Sequence, residues 1–139
     1  MKSFRKLLVL LFFMCTAGQC LALIEIELVT KARAKELGLE IRSIASGPNE
    51  TRVWLEFPAK GEFKNFTHVS LEVREGDKRV MSALLLPDRS DPDKVAVNFT
   101  ADKTTLAKST LMVLVRNDGL SQVGYLIKVQ DFIQPVRGK

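Results

Sequence analysis

Apolar and polar residues alternate in several short stretches of this chain, and this period of two constrains its fold more than any other feature. Successive side chains of a strand point to opposite faces, so strict alternation makes one face apolar and the other polar. The stretches with this pattern are residues 24–28, 39–42, 52–57, 69–74, 95–100 and 125–130. Each is predicted to form a strand with one buried face.

Two further stretches, residues 81–86 and 111–115, are apolar almost throughout. A continuous apolar run is typical of a strand covered on both faces, so both are predicted to be central strands. Gly, Pro, Asn and Asp separate the strands, and these residues favour turns. The predicted turns are residues 46–50, 75–78, 87–93 and 117–119.

About eight short strands at this spacing predict an all-β fold, an antiparallel β-sandwich of about seven to eight strands with immunoglobulin-like architecture. A small barrel is the alternative. One or two short helical turns are expected as well. Thr30 is a suitable N-cap for residues 31–37, with Gly38 as the C-cap, and a second turn is predicted for residues 102–108.

Residues 1–22 have the pattern of a secretory signal peptide, with basic residues, a short apolar run and small residues before Leu23. Cleavage between Ala22 and Leu23 would leave one domain, residues 23–139. We therefore expect an exported protein, periplasmic or extracellular. The alternatives are an uncleaved N-terminal anchor and a lipoprotein whose lipid is attached to Cys20.

Removing the leader changes the charge and the cysteine content. The formal net charge of +5 falls to +2, because the leader carries three basic residues and no acidic ones. The remaining charges alternate in sign, so we expect no nucleic-acid binding. Both cysteines, Cys15 and Cys20, lie in the leader, so the mature domain has no thiol for a disulfide, a cysteine-type zinc site or a cysteine nucleophile.

No catalytic constellation is visible, and the chain is expected to be a non-enzyme without a cofactor. Its single histidine, His68, begins a predicted strand and lacks the partners of a triad. A hydrolase that uses two surface carboxylates is the enzymatic alternative. Its candidate residues are Glu25, Glu27, Glu40, Glu56 and Glu72.

Two further groups of polar residues are candidates for a site, one as weak calcium ligands and the other as glycosylation acceptors. Asp88, Asp91 and Asp93 lie in one loop, where carboxylates suit calcium, although their spacing is not that of an EF-hand. Three Asn-X-Thr sequons would be glycosylation acceptors in a eukaryotic host. Their asparagines are Asn49, Asn65 and Asn98.

Three aromatic residues are the candidates for partner binding. Trp54 is predicted on the outward face of its strand, where a tryptophan can anchor a protein or a sugar unless a loop covers it. Phe63 and Phe66 lie in a connection, where they either form a recognition loop or plug one end of the sandwich.

The sequence thus predicts an exported, non-catalytic module that binds an unidentified protein or carbohydrate in the periplasm or cell envelope, or serves there as a structural component. A carbohydrate- or calcium-binding module is the main alternative. An exposed edge strand could also pair with a second copy, which leaves the oligomeric state open.

Overall fold

The computed structural model describes residues 24–116 and 121–133, and these form two β-sheets joined by short helices. The described part of the chain is mostly strand, so the predicted all-β, sandwich-like fold is confirmed. Its strands are β1 Ile24–Leu28, β2 Glu40–Ala45, β3 Glu50–Pro58, β4 Phe66–Glu75, β5 Lys78–Leu85, β6 Lys94–Asp102, β7 Ser109–Arg116 and β8 Gln122–Lys128. Its helices are α1 Lys31–Leu37 and α2 Lys103–Ala107, with 3₁₀ turns at Gly61–Phe63 and Val129–Asp131.

The larger sheet has the strand order β1-β8-β7-β4-β5, and the smaller sheet has the order β2-β3-β6. β1 pairs with β8 in parallel, whereas the other neighbours are antiparallel. The tight β4–β5 hairpin places Glu75 opposite Lys78, as its turn residues predict, and Gly76 there has a positive φ of 59°. No helix in the part of the chain described by the structure is long and apolar enough to cross a membrane.

The core lies between the sheets and follows the alternation of the sequence. Along β3, Val53, Leu55 and Phe57 are almost fully buried, while the residues between them face outward. The same pattern buries one side of β6 and β8, whereas β7 is buried on nearly its whole length. The side chains with the least exposure are Phe57, Phe63, Leu55, Leu111, Ile127, Val29, Val53, Val69, Val95, Val97, Val113 and Val115.

Both predicted helical turns are present, and the first has the predicted caps. The hydroxyl of Thr30 accepts a hydrogen bond from the Arg33 backbone N–H, and Gly38 ends α1 with a φ of 71°. At α2, the carboxylate of Asp102 accepts from the Thr105 backbone N–H. These caps satisfy backbone groups that such short helices leave without partners.

The prediction that residues 81–86 form a central strand is wrong. They belong largely to β5, which is an edge strand hydrogen-bonded to β4 alone, and Leu84 is 66% exposed. An apolar run reports hydrophobicity, whereas the position of a strand in its sheet depends on long-range pairing. The prediction for residues 111–115 is confirmed, since they lie in β7 between β4 and β8.

The orientation predicted for β1 is also wrong. Its alternation suggested that the isoleucines face the core, yet Ile26 is 59% exposed and Glu27 is half-buried against Arg33. The reason is the edge position of β1. Glu27 is paired in register with the buried Tyr125 and points to the side where α1 supplies a cation. The turn predicted at residues 117–119 and the leader lie outside the described residues.

Candidate functional site

The outward side of β3 forms the centre of the candidate site. Because the odd-numbered residues of β3 enter the core, Arg52, Trp54 and Glu56 point away from it. Trp54 is half-buried, so part of its large apolar side chain remains on the protein surface. This confirms the outward orientation predicted for Trp54.

The pairing of strands decides which residues surround Trp54. It lies opposite Arg42 of β2 on one side and opposite Asn98 of β6 on the other. Residues that pair in this way share a face of the sheet, and their side chains are close enough to contact one another. We use the name Trp54 face for the outward residues Arg42, Ile44, Arg52, Trp54, Glu56, Asn98 and Thr100.

Arg52 contacts both Trp54 and β6. Its guanidinium carbon is 5.9 Å from the centroid of the Trp54 ring, a distance at which a cation interacts with an aromatic face. Its Nε donates a hydrogen bond to Thr100 Oγ1 at 3.3 Å. Arg52 forms no salt bridge with a carboxylate of residues 24–116 or 121–133, so its charge is available to a partner.

Glu56 is the charged centre of the same face. Its carboxylate is hydrogen-bonded by Arg42 through Oε1, and Lys94 Nζ is 3.8 Å from Oε2. Two shallow depressions of about 170 and 210 Å³ border this group, and both are lined by Glu56 and Lys94. The face therefore combines an aromatic ring, an exposed apolar side chain at Ile44 and an ordered charge network.

Among the five glutamates proposed as catalytic candidates, the structure brings Glu40 and Glu56 together. They pair in register on β2 and β3 and line the smaller depression. Both oxygens of Glu56 are engaged by cations, Oε1 by Arg42 and Oε2 by Lys94. Glu72 lies on the other sheet, 8% exposed, where Arg74 and Arg79 bind it.

In the loop that holds the three weak calcium candidates, the carboxylates of Asp88 and Asp91 accept hydrogen bonds from within the loop, and Asp93 contributes a backbone N–H. Asp88 Oδ1 accepts hydrogen bonds from the backbone N–H and the hydroxyl of Ser90, and these bonds lower the pKa of Asp88. Asp91 Oδ1 accepts from the Asp93 backbone N–H at 2.8 Å. Within the described ranges, no group of three or more His, Cys, Asp or Glu is arranged to hold a metal ion.

Phe63 is a core residue, which corrects its selection as a partner-binding candidate. It is 2% exposed, and its ring centroid is 5.0 Å from that of Phe57 and 5.2 Å from that of Tyr125. Phe66 is half-buried, with its centroid 5.1 Å from Phe57, and Arg89 lies 5.0 Å over its ring. These contacts match the plug that the sequence offered as the other role of these phenylalanines.

A polar cluster beside this plug was missed by sequence reasoning. The Tyr125 hydroxyl donates to the carboxylate of Glu62, and burial together with this bond raises the pKa of Tyr125 above its usual value. Arg33 bonds Glu27 at 2.6 Å and lies 3.4 Å from Glu62. A tyrosine at an inward position signals that a polar partner is needed, but the alternation does not show which residue supplies it.

The remaining polar candidates are spread over the surface. Asn49, Asn65 and Asn98, the asparagines of the three sequons, are all exposed, and Asn98 alone belongs to the Trp54 face. His68 is half-buried on β4 opposite Leu114 of β7. The structure therefore does not assemble these residues with Trp54 into one site, apart from Asn98.

Comparison of the chain with protein-family models, with curated proteins and with solved structures gives no match. The geometry of the Trp54 face is therefore the basis on which a function is proposed.

Proposed function

We propose that this protein is an exported, non-catalytic binding module of the periplasm or cell envelope, and that it contacts a protein partner with its Trp54 face. The observation that carries the proposal is the contact between the guanidinium of Arg52 and the ring of Trp54, in the middle of a sheet face. Tryptophan and arginine are the residue types most enriched where interfaces gain their affinity. Export is supported by the leader-like pattern of residues 1–22.

The neighbours of Trp54 favour a partner that offers both carboxylate and apolar groups. Arg52 can bind a carboxylate, since a guanidinium presents several N–H donors in a fixed plane. Ile44, 58% exposed and opposite Arg52 in register, adds apolar area beside it. The Arg42–Glu56 pair lies next to Trp54 and would form part of the polar rim that surrounds the centre of an interface.

We further propose that the sandwich is immunoglobulin-like. If β2 to β8 take the roles of strands A, B, C, C′, E, F and G, the smaller sheet has the order A-B-E and four strands of the larger sheet have the order C′-C-F-G. Strands B and E in one sheet and C, F and G in the other are the arrangement of that architecture. β1 would then be an additional strand beside G.

Photo-crosslinking in the native host tests the binding role. A photoreactive amino acid at position 98, on the Trp54 face, is expected to give a protein adduct, and the same amino acid at position 128, exposed on β8, is the matched control. Trp54→Ala and Arg52→Ala should abolish the adduct from position 98, because they remove its two central contacts. An adduct that survives both changes in a folded protein would contradict the proposal.

A carbohydrate ligand is the second candidate, since polar side chains flank the indole of Trp54 at Arg42 and Asn98. Aromatic rings with neighbouring hydrogen-bonding groups are suited to sugars. Trp54 is the only tryptophan of the chain, so its fluorescence reports this face directly. Titration with chitohexaose and cellohexaose would change the emission if this candidate holds, and an unchanged emission would remove it for these sugars.

A further inference from the structure

The free edge of β2 is a part of the smaller sheet that the proposed function does not use. At the end of the β2–β3 ladder, the Ser46 backbone N–H donates to the Glu50 carbonyl at 2.9 Å, so even-numbered residues of β2 direct their backbone groups toward β3. The N–H and C=O groups of Ile41, Ser43 and Ala45 therefore point to the free edge. Among the described residues, no backbone hydrogen bond outside the sheet ladders engages them, and β2 has no second neighbouring strand.

The other three edges of the sandwich are protected in ways that β2 is not. Natural sheets protect their edges with charges, bulges, prolines or covering segments. β1 carries Glu25 and Glu27, the pairing of β5 with β4 contains a bulge, and Asp88 covers part of β6 by pairing with Ala96. β2 pairs with β3 residue for residue over six positions, without a shift, a proline or a glycine. Its charged residues lie at even positions, on the outer face. β2 is therefore the edge best suited to accept a further strand.

The side chains on both faces of β2 leave room for such a strand. Ser43 and Ala45 point between the sheets, on the same side as Ile41, which packs against the core. Both are nevertheless exposed, because no strand lies beyond β2 to cover them. On the outer face, Ile44 is 58% exposed. An added strand would therefore cover small side chains on its inner side and extend the Trp54 face on its outer side.

Glu25 indicates the charge that the added strand should carry. β1 runs into α1 and β2 runs out of it, so the two strands lie on the same side of the sandwich. Glu25 shares the inner side of β1 with Glu27, and it is as far from the end of β1 as Ser43 is from the start of β2. Glu25 is exposed, and within the part of the chain that the structure describes it forms no salt bridge. A strand beside β2 would lie over Glu25, where a cationic side chain would pair with it.

We propose that the partner of the Trp54 face adds an extended segment to the free edge of β2, with a lysine or arginine facing Glu25. This inference rests on the proposed function, because it describes how the same partner binds. Backbone hydrogen bonds to Ile41, Ser43 and Ala45 would supply affinity, and contacts with Glu25 and Ile44 would supply specificity. A second copy of this chain fits less well, because its β2 would present Ile41, Ser43 and Ala45 to Glu25, and these residues carry no charge.

Photo-crosslinking from position 98 in the native host tests this mode of binding. Ser43→Pro should lower the adduct yield about tenfold or more, because it removes a backbone donor and places a ring at the edge. The ladder with β3 does not use the Ser43 N–H, so this variant should remain folded, which circular dichroism checks. Ser43→Thr keeps the N–H and is the matched control. Glu25→Lys should lower the yield about threefold or more, whereas Asp77→Lys, the same charge change at an exposed position of the β4–β5 hairpin, should not.

The photoreactive amino acid at position 44 should attach to the added strand itself, and mass spectrometry of the adduct should find a lysine or arginine beside the crosslinked residue. If the unaltered chain gives no adduct from position 98, the proposed function is wrong, and this inference with it. An adduct from position 98 that survives Ser43→Pro, or that does not respond to Glu25→Lys, would overturn the strand addition and leave the Trp54 face as the binding surface. An adduct from position 44 to residues 40–45 of a second copy would overturn the choice of occupant.

Discussion

Phe63 connects the two halves of the aromatic core, so its replacement by alanine tests how the sandwich is stabilised. The 3₁₀ turn Gly61–Phe63 inserts this ring between Phe57 of the smaller sheet and Tyr125 of the larger one, with centroid distances of 5.0 and 5.2 Å. The ring is almost fully buried. Phe63→Ala would leave a cavity that neighbours on two different sheets cannot easily close.

The expected cost follows from the size of the buried group. Truncating a buried phenylalanine to alanine lowers the free energy of unfolding by about 3–5 kcal/mol, through lost transfer energy and the cavity that remains. A domain of this size has about 5–15 kcal/mol in total. We therefore expect Phe63→Ala to remove a large fraction of the free energy of unfolding. Phe66→Ala, whose ring is half-buried, should cost about 1–2 kcal/mol.

Urea unfolding followed by circular dichroism measures both changes. The unaltered chain, Phe63→Leu and Phe66→Ala are the comparisons, since leucine retains much of the apolar volume of Phe63. A Phe63→Ala variant whose free energy of unfolding lies within about 0.5 kcal/mol of the unaltered chain would refute the core position of Phe63. It would also return this residue to the set of exposed partner-binding candidates.

Three further results are expected. Gly38→Ala should lower the free energy of unfolding by about 1–2 kcal/mol in urea melts, because Gly38 has a positive φ, whereas Gly47→Ala should be nearly neutral. Tyr125, the only tyrosine, should resist ionisation in an absorbance titration of the folded protein, because folding raises its pKa. For the same reason, the free energy of unfolding should fall as the pH rises above about 10, where the tyrosine of the unfolded chain loses its proton. The pKa of Asp102 is lowered by the hydrogen bonds that it accepts from Thr105. The free energy of unfolding should therefore fall as the pH drops below about 4. The fall should be smaller in Asp102→Asn, because asparagine keeps the helix cap but does not titrate.

The local features of the fold could be predicted from the sequence because they depend on neighbouring residues. Alternation located β3 and its buried face, and Thr30 and Gly38 marked the ends of α1. The same reasoning placed Trp54 on the outer face. In each case the decisive information lies within a few residues of the feature that it predicts.

Features that depend on the pairing of distant strands could not be predicted in this way. The apolar run of β5 looked central, since hydrophobicity does not reveal that β5 has one neighbouring strand. The exposed isoleucines of β1 follow from its parallel pairing at the sheet edge. The neighbours of Trp54 also depend on register, because Asn98 lies 44 positions away in the sequence.

The most direct test of the proposed function is to observe Trp54 while the protein is bound. Incorporating 5-fluorotryptophan labels this position alone, because the chain has one tryptophan. After unlabelled envelope extract from the host is added, the single ¹⁹F resonance should shift or broaden, and Arg52→Ala should prevent the change. If size-exclusion chromatography shows the labelled chain in a complex while its resonance stays unchanged, the Trp54 face is not the binding surface.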